Sequence, residues 1–460
     1  MSSDCADGQR MMRGLLSKIA SVVACVLLAA GCSHQDIWPN GPSNHSIGRK
    51  LSHPGDSGST APIRLVSVAL NGTAANHGSY GASVAGDGSS VAFESSATNL
   101  VADDTNGYKD VFIRDMSAQR TALLSHAVGG GPANGPSEDP VMSADGRSVA
   151  FVSSASNLVA GDRNHRSDVF LADIATGSVS CASCRLPANL PPEDFWNPIL
   201  TDVAIDGTGS VVAFELFPQT KPGQDMSSEP RLLSDVLVWS RATGRLTVES
   251  LSPQGELGNG YSDGPSLTID GKSLAFSTGA SNIVAGASFG GQERPVLRNL
   301  TTGVVTALGP LGSCPVALSG DGNVIAIVRS NRGAGSYYQV VVADRANGRS
   351  AIVGGAEDHS YTDHATLSAD GSRVAVLSDS PSLVKDPPIG AYQVYLATPW
   401  GGTTVLASAS VSGVPGNDNS TAPRISGDGR YVVFASQASN LVAGDTNNAP
   451  DIFLKGPMSP

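Results

Sequence analysis

Three short segments of the sequence place carboxylate and amide oxygens at a spacing that suits cation binding. They share the pattern D-x-N-x-x-x-D and consist of Asp104, Asn106 and Asp110; Asp162, Asn164 and Asp168; and Asp445, Asn447 and Asp451. Positions one, three and seven of a calcium loop can be built this way, but calcium takes about six to eight oxygens and no later bidentate carboxylate follows. We favour Asx turns in which the last Asp bonds backbone amides at the start of a strand. We therefore expect no cofactor, with calcium as the alternative.

A C-x-x-C pair, Cys181 and Cys184, offers redox chemistry, metal binding or a small disulfide loop. The sequence has no second C-x-x-C pair and no thioredoxin-like pattern around this one. The N-terminus, described below, indicates export from the cytosol, where disulfides persist. We therefore expect a local disulfide between these two cysteines.

Residues 260–264 read G-x-S-x-G, the sequence of a nucleophile elbow around Ser262. That elbow needs a strand-to-helix turn, and no helical pattern follows here. Other repeats carry a serine in the same register, at Ser79, Ser137 and Ser420. We therefore interpret Ser262 as a repeat position that caps a link between repeats.

Three histidines, His77, His359 and His364, lie in predicted links between repeats, the last two beside Asp358 and Asp363. Imidazole and carboxylate groups together can hold a metal ion. Scattered loop histidines are more often solvated, and we adopt that interpretation, with a metal-assisted site as the alternative.

The elements that position these residues come from a sevenfold repeat. An Asp-Gly pair recurs at spacings of 49 to 64 residues, and β-rich runs flank each pair, which predicts a tight hairpin. A third run follows, such as 110–113, and a fourth follows a short turn. Seven four-stranded units predict an all-β, seven-bladed β-propeller, with a repeat sandwich or solenoid as the alternative. The pairs begin at Asp87, Asp145, Asp206, Asp270, Asp321, Asp370 and Asp428.

The two ends of the repeat array predict how the ring closes. The last repeat has three runs and ends at Leu454, whereas an unused run, Ile63 to Ser67, precedes the first repeat. We expect this N-terminal run to be the fourth strand of the last blade. The ring would then have no open sheet edge.

The repeats resemble the TolB-type β-propeller repeat. The copies that carry the resemblance read SADGRSVAFVSSASNLVAGD at 143–162 and SGDGRYVVFASQASNLVAGD at 426–445. The resemblance covers about 62–460 and implies the fold, but not a function. TolB itself carries an additional N-terminal α/β domain, which this sequence lacks, so TolB's own role is not carried over.

The N-terminus resembles a bacterial lipoprotein signal. Basic residues at 10, 13 and 18 precede an apolar run at 19–30, which is too short to span a bilayer, and the run ends in LAAGC at 28–32. The resemblance implies a signal peptide at 1–31 and a lipidated Cys32. A polar segment at 32–61 reads as a disordered tether before the propeller at 62–460. Ser33 implies an outer-membrane location facing the periplasm.

The amino-acid composition limits the kinds of partner that the protein can bind. Acidic residues outnumber basic residues by 41 to 29, for a net charge of -12, which would repel a polyanion and excludes nucleic acid. Two long insertions, 184–198 and 217–234, fall on the face that carries the blade links. The first contains Phe195 and Trp196, a candidate aromatic anchor for a partner.

These observations predict a monomeric, lipid-anchored binding scaffold of the cell envelope, without enzymatic activity, for a protein or glycan partner. The alternative is a polysaccharide lyase or hydrolase with its site on the axis of the long-loop face. A convergent cluster of His, Asp, Glu or Arg at the axis would favour the enzyme. An aromatic, weakly charged rim would favour binding.

Overall fold

The fold is a seven-bladed β-propeller, as the repeat pattern predicts. The computed structural model describes residues 59–459 except 103, 165, 189, 191–197, 220–232, 287–292, 309–312, 332–336, 355–360, 381 and 385–390. These residues form 28 strands in seven four-stranded antiparallel sheets. The same residues contain no helix with the length and apolar character needed to cross a membrane.

The first four blades each use four consecutive strands. Blade 1 consists of β2 (Ser79–Val84), β3 (Ser90–Ser95), β4 (Asp110–Asp115) and β5 (Arg120–Leu123). Blade 2 consists of β6 (Ser137–Met142), β7 (Ser148–Ser153), β8 (Asp168–Asp173) and β9 (Val179–Cys181). Blade 3 consists of β10 (Ile199–Ile205), β11 (Val211–Phe217), β12 (Asp235–Ser240) and β13 (Arg245–Val248). Blade 4 consists of β14 (Ser262–Leu267), β15 (Ser273–Thr278), β16 (Arg294–Asn299) and β17 (Val305–Ala307).

The last three blades complete the ring. Blade 5 consists of β18 (Ser313–Leu318), β19 (Val324–Asn331), β20 (Tyr337–Asp344) and β21 (Arg349–Val353). Blade 6 consists of β22 (Thr362–Leu367), β23 (Val374–Ser378), β24 (Gln393–Thr398) and β25 (Thr403–Leu406). Blade 7 combines β26 (Ser420–Ile425), β27 (Val432–Ser436) and β28 (Asp451–Lys455) with the N-terminal β1 (Ile63–Leu65).

The second and third strands of each blade form the core because neighbouring blades cover both of their faces. Such strands are buried along most of their length rather than on alternate residues, as in β3 and β4. Phe93 of β3 and Phe112 of β4 are fully buried, with ring centroids 5.7 Å apart. The same pair recurs in blade 2, with Phe151 and Phe170 at 5.8 Å. Each such side chain contributes about 1.5–3 kcal/mol through burial.

The N-terminal strand closes the ring, and this prediction is confirmed. β1 pairs with β28, with Ile63 opposite Lys455 and Leu65 opposite Phe453. The Ser67 hydroxyl donates to Asp451 Oδ1 at 2.5 Å and accepts the Ile452 N–H at 3.0 Å. The two ends of the chain are therefore joined by a strand pair and by a side-chain latch.

A buried lysine adds a second fastening at the same seam. The Lys455 side chain is fully buried, and its Nζ donates to the carbonyls of Ser59 at 2.6 Å, Ala409 at 2.7 Å and Ser410 at 3.2 Å. Burial lowers the pKa of Lys455 to about 8. The lysine connects the N-terminal segment, blade 7 and the link from blade 6 to blade 7.

The seven Asp-Gly hairpins form a continuous circle of backbone hydrogen bonds around the axis. Each turn donates an N–H to a carbonyl of the next turn, and the last turn returns to the first at 2.8 Å. This circle joins the innermost strands of all seven blades at the short-turn face. The donor–acceptor pairs are Gly86–Ala144, Asp145–Gly207, Gly207–Ile269, Ile269–Gly320, Gly320–Ala369, Ala369–Gly427 and Asp428–Gly86.

We predict that Gly86→Ala destabilises the propeller. A Cβ on Gly86 would lie 2.6 Å from the carbonyl oxygen of Ala144, which is backbone and belongs to the hydrogen-bonded circle. Overpacking of this kind costs about 1–3 kcal/mol, measured as the free energy of unfolding in denaturant. Gly279→Ala is the matched control, because a Cβ there meets nothing within 4 Å. Equal stability of the two variants would contradict the importance of the circle.

Candidate functional site

All seven innermost strands carry a β-bulge near the end that faces the long loops. In each pair of first and second strands the register shifts at this level, for example between Glu138 and Val141 in β6. The bulge turns side chains towards the central channel. We call this end of the channel the axial mouth.

Several bulge residues hold a left-handed backbone conformation. Asp139 and Asp202 have φ values of 53° and 50°, and His364 and Ala422 both have 50°. This conformation costs about 1–3 kcal/mol for a non-glycine residue and is concentrated at functional sites. Three of these four residues are ionisable, so the strain coincides with the groups best suited to chemistry.

Blades 1 to 4 give the mouth an acidic side. Its members are the bulge residues Asp139 and Asp202, the neighbouring Asp263, and two acids at the ends of second strands, Glu94 and Glu215. These five positions lie where innermost strands begin and second strands end, which is the same face of the ring. We call this set the acidic side.

Glu94 fixes the boundary between blades 1 and 2. Its Oε2 accepts the backbone N–H of Asp139 at 2.7 Å, and its Oε1 accepts Lys109 Nζ at 3.3 Å. Lys109 also donates to Glu138 Oε2 at 2.9 Å. Burial opposes the charge of Lys109, but Glu94 and Glu138 outweigh it and raise its pKa above the ordinary value. The charges of this cluster therefore compensate one another.

Glu215 forms a second acidic group with Asp202 and Asp263. Burial is the largest cause that raises its pKa well above the ordinary glutamate value, followed by the charges of Asp263 and Asp202. A side-chain hydrogen bond with Asp202 raises the pKa further, because it favours the protonated form. Thr201 Oγ1 donates to Glu215 Oε2 at 3.3 Å. Glu215 therefore holds its proton to a higher pH than an ordinary carboxyl.

Arg424 lies across the channel from the acidic side. It belongs to β26, the innermost strand of blade 7, yet the charges of Asp202 in blade 3 and Asp139 in blade 2 act on it. Because these blades are not neighbours of blade 7, the interaction passes through the channel. The protein that surrounds the channel lowers the pKa of Arg424 by partly desolvating it, and the two carboxylates oppose that effect. The side chain is nevertheless exposed to water, as expected in an open channel.

Blades 5 and 6 carry a different surface on the same face of the ring, which we call the tyrosine side. It consists of Tyr338, Tyr361 and Tyr392, at the ends of strands on the same face. The ring centroids of Tyr338 and Tyr361 are 4.9 Å apart, and those of Tyr361 and Tyr392 are 6.0 Å apart in an edge-on arrangement. His364 lies in β22, three residues after Tyr361, and its side chain is exposed.

The three D-x-N-x-x-x-D segments form Asx turns. Asn106 Oδ1 accepts the N–H of Tyr108 at 2.9 Å, and its Nδ2 donates to Asp110 Oδ2 at 2.8 Å. Asp110 Oδ1 accepts the Ser125 hydroxyl at 2.6 Å. The last Asp therefore bonds the Asn amide and a serine two residues after the fourth strand, and not the backbone amides that we expected from the sequence. The same bonds recur at Asn164, Asp168 and Ser183 and at Asn447, Asp451 and Ser67.

These hydrogen bonds argue against calcium binding by the three segments. Both carboxylate oxygens of Asp110 and the amide oxygen of Asn106 already accept hydrogen bonds. Asp104 Oδ1 is buried without a hydrogen-bond partner, but it is a single oxygen. Because calcium needs several free oxygens, we propose no calcium site here.

Cys181 and Cys184 form a disulfide bond. Within the described part of the chain, the one group of three candidate metal ligands within 4.8 Å of one another is Asp168 with these two cysteines. Disulfide sulfurs are not thiolate ligands, so this group does not fit a metal ion.

The structure corrects the position of one histidine and accounts for Ser262. His364 lies in the innermost strand of blade 6, and not in a blade link, because the bulge places it two residues inside the strand. His77 is exposed in the link before β2.

Ser262 is fully buried in β14 and shares a hydrogen bond with Thr278 at 2.9 Å, as Ser79 does with Ser95. The elbow-like sequence is thus a repeat position.

Some predicted site residues lie outside the described residues, and other site residues were not predicted. Cys32, Phe195, Trp196 and His359 belong to the first group. The sequence analysis missed the acidic side, the tyrosine side and Arg424. One signal was present: the second strands of blades 1 and 3 place a glutamate directly after the buried phenylalanine, as in Phe93-Glu94, where blade 2 has Val152.

Comparison with known proteins supports the fold. No protein-family model matches the sequence, and no curated protein matches it. An oligogalacturonate lyase in complex with manganese has a similar structure, with a TM-score of 0.52 at 14% identity over 88% of this chain and 96% of that one. The acylaminoacyl peptidase of Pyrococcus horikoshii gives a TM-score of 0.51 at 10% identity, covering 82% of this chain and 51% of the peptidase. This chain thus spans about half of that enzyme.

TolB from Acinetobacter baumannii is also among the similar structures, with a TM-score of 0.39 at 16% identity over 76% of each chain. At their identities the lyase and the peptidase support the fold and no common activity. The resemblance of the repeats to the TolB type remains an interpretation of the sequence.

We predict that Asp110 makes the stability of the protein depend on pH. Burial is the largest cause that raises the pKa of Asp110 to about 6. The folded state therefore binds a proton that the unfolded state loses near pH 4, and stability falls as the pH rises from 4 to 6. Relative to Asp110→Asn, the wild type should lose about 2 kcal/mol of unfolding free energy between pH 4.5 and 7.

Asp173→Asn is the control for this measurement. Hydrogen bonds, led by that from Arg241, lower the pKa of Asp173 to about 2, so Asp173 stays ionised across the same pH range. Chemical denaturation of the three proteins at both pH values provides the comparison. A wild-type profile parallel to that of Asp110→Asn would contradict the prediction.

Proposed function

We propose that this protein is a lipid-anchored β-propeller of the bacterial cell envelope that binds a glycan at its axial mouth. The observation that carries the proposal is the division of this face of the ring. The acidic side acts on Arg424 across the channel, and the tyrosine side lies on the same face, in blades 5 and 6. A concave site with a few convergent polar groups and an aromatic surface suits a small or linear ligand.

The two sides offer different contacts to a sugar. Tyrosine presents a flat apolar ring and a hydroxyl, so it can cover the C–H face of a sugar and bond its edge. Carboxylates accept hydrogen bonds from sugar hydroxyls, and a guanidinium donates them. Tyr392 is the most accessible of the three aromatic residues in its cluster, with 39% of its surface exposed. The site therefore combines a stacking surface with hydrogen-bonding groups.

The charge of the mouth limits the kind of glycan. The acidic side holds five carboxyl groups, and Arg424 and Lys109 compensate part of this charge. A uronate chain carries a carboxylate on every sugar and would be repelled. We therefore propose a neutral or amino-bearing glycan, in contrast to the oligogalacturonate named for the similar lyase.

The connection to the proposed anchor leaves the mouth free. The described chain begins at Ser59, which bonds Leu406, Lys455 and Met458 at the outer edge of blades 6 and 7. A ligand can therefore approach the axis while the chain is tethered at the rim.

Binding at the mouth is tested with a panel of neutral, amino-bearing and uronate oligosaccharides, measured by titration calorimetry on the detergent-solubilised protein. We expect Tyr392→Ala to raise Kd at least tenfold, because one stacking ring is lost. Asp139→Asn should also raise Kd, and Asn tolerates the left-handed backbone at this position.

Tyr108→Ala is the control for the aromatic substitution. Tyr108 is 44% exposed but is not part of the tyrosine side, so Kd should change less than twofold. A preference for uronate chains, or equal effects of the two tyrosine substitutions, would contradict the proposal.

A glycan-cleaving enzyme is the second candidate, and the charged cluster at the axis favours it. The specific observation is Glu215, a buried carboxyl that holds its proton beside Asp202, as a general acid must. Release of reducing ends from a bound glycan by the wild type, with loss of that activity in Glu215→Gln, would establish the enzyme in place of the scaffold.

The proposed anchor is tested separately. Cys32→Ser removes the thiol that carries the lipid, and because two or three acyl chains hold a lipoprotein stably, the variant should move from the membrane to the soluble fraction. Fractionation of cells and immunoblotting measure this change. A variant that remains in the membrane fraction would contradict lipid anchoring.

A further inference from the structure

Blade 2 carries a disulfide that its fold does not require. Ser183 lies between Cys181 and Cys184, and its hydroxyl donates to Asp168 Oδ1 at 2.6 Å and accepts the Val169 N–H at 2.8 Å. Other blades form the same latch without cysteines, with Ser125 and Asp110 at 2.6 Å in blade 1 and Ser250 and Asp235 at 2.6 Å in blade 3. The disulfide is therefore an addition specific to blade 2.

This disulfide also adds little to stability. Its two cysteines are three residues apart in sequence, so it closes a very short loop. The entropy that a cross-link removes from the unfolded chain grows with loop length and is small here. Stabilisation of the fold therefore does not explain why the Cys181–Cys184 disulfide is present.

The surroundings of the two sulfurs suit thiol exchange. Both cysteines are partly exposed, and Cys184 lines a cleft of about 390 Å³ together with Arg166 and Leu186. The backbone N–H of Cys184 donates to Cys181 Sγ at 3.0 Å. The Asp168 carboxyl lies within 4.8 Å of both sulfurs, and burial raises its pKa, which limits its negative charge. The fixed amide donor at Cys181 stabilises a thiolate on that sulfur, which makes Cys181 the better leaving group. Cys184 is the sulfur that an incoming thiol can reach through the cleft.

We propose that Cys181–Cys184 is a redox-active disulfide that accepts two electrons from a protein dithiol. A thiolate of the partner attacks Cys184 Sγ, the Cys181–Cys184 bond breaks, and Cys181 leaves as a thiolate. The second partner thiolate then attacks the partner's own sulfur in the mixed disulfide and releases Cys184. The partner ends as a disulfide, and its two protons and two electrons are now on Cys181 and Cys184.

The first test compares reduction of the folded and unfolded protein. Detergent-solubilised full-length protein is treated with dithiothreitol, in buffer or in urea, and Cys181 and Cys184 are followed by differential alkylation and peptide mass spectrometry. We expect reduction at least tenfold faster in the folded protein, with no more than a small change in Tm, and reoxidation by oxidised glutathione. Slower reduction in the folded protein, or melting on reduction, would overturn the proposal.

The second test identifies the attacked sulfur. With oxidised glutathione, Cys181→Ser should accumulate a stable mixed disulfide on Cys184, because no second cysteine resolves it. Cys184→Ser should accumulate at least tenfold less on Cys181, and the wild type should return to its internal disulfide. The opposite pattern, or no adduct in either variant, would overturn the assignment. Because neither cysteine belongs to the axial mouth, these results are independent of glycan binding.

Discussion

Closure of the ring is the constraint on which the rest of the structure depends. Each sheet of four short strands has two exposed edges and two apolar faces, and none of them is stable alone. The circular arrangement buries both faces of every blade, and the pairing of β1 with β28 completes the seventh sheet. The Ser67–Asp451 latch and Lys455 hold this seam, and the hairpin circle holds the axis. The contacts within any one blade therefore stabilise the protein only when the whole ring is closed.

A closed ring can hold strain that a free strand would relax. The left-handed backbone of Asp139, Asp202 and His364 is unfavourable for residues with a side chain. These residues stay in place because the bulge is bounded by paired strands and because Glu94 bonds the Asp139 amide from the neighbouring blade. The burial that raises the pKa of Glu215 depends in the same way on blades 3 and 4 remaining packed. The strained backbone and the raised pKa of Glu215 at the axial mouth therefore depend on the rigid packing of the surrounding blades.

The repeat made the fold predictable, and departures from the repeat made the site difficult to predict. Asp-Gly spacing, apolar second strands and a count of strand runs were sufficient for seven blades and for the closing strand. The start of the first strands is difficult to read from the sequence, because the bulge breaks the two-residue alternation on which strand prediction depends; in blade 2 the strand begins at Ser137, before the bulge. The sequence therefore places His364 in a blade link and does not single out Asp139. The serine partner of Asp110 is 15 residues away, a separation that no local pattern reveals.

The distribution of residues around the axis distinguishes structural roles from functional ones. The Ser–Asp latch and the paired hydroxyls, such as Ser79 with Ser95, recur from blade to blade, which is expected of groups that build a blade. The mouth does not follow the repeat: the position of Glu94 is Val152 in blade 2, Ser277 in blade 4 and Leu377 in blade 6. The acids in blades 1 and 3 therefore depart from the repeat. Glu94 uses this departure to bond the Asp139 amide and Lys109, and Glu215 uses it to form an acidic group with Asp202 and Asp263. Groups that differ between blades in this way give the axis the asymmetry on which the proposed ligand site rests.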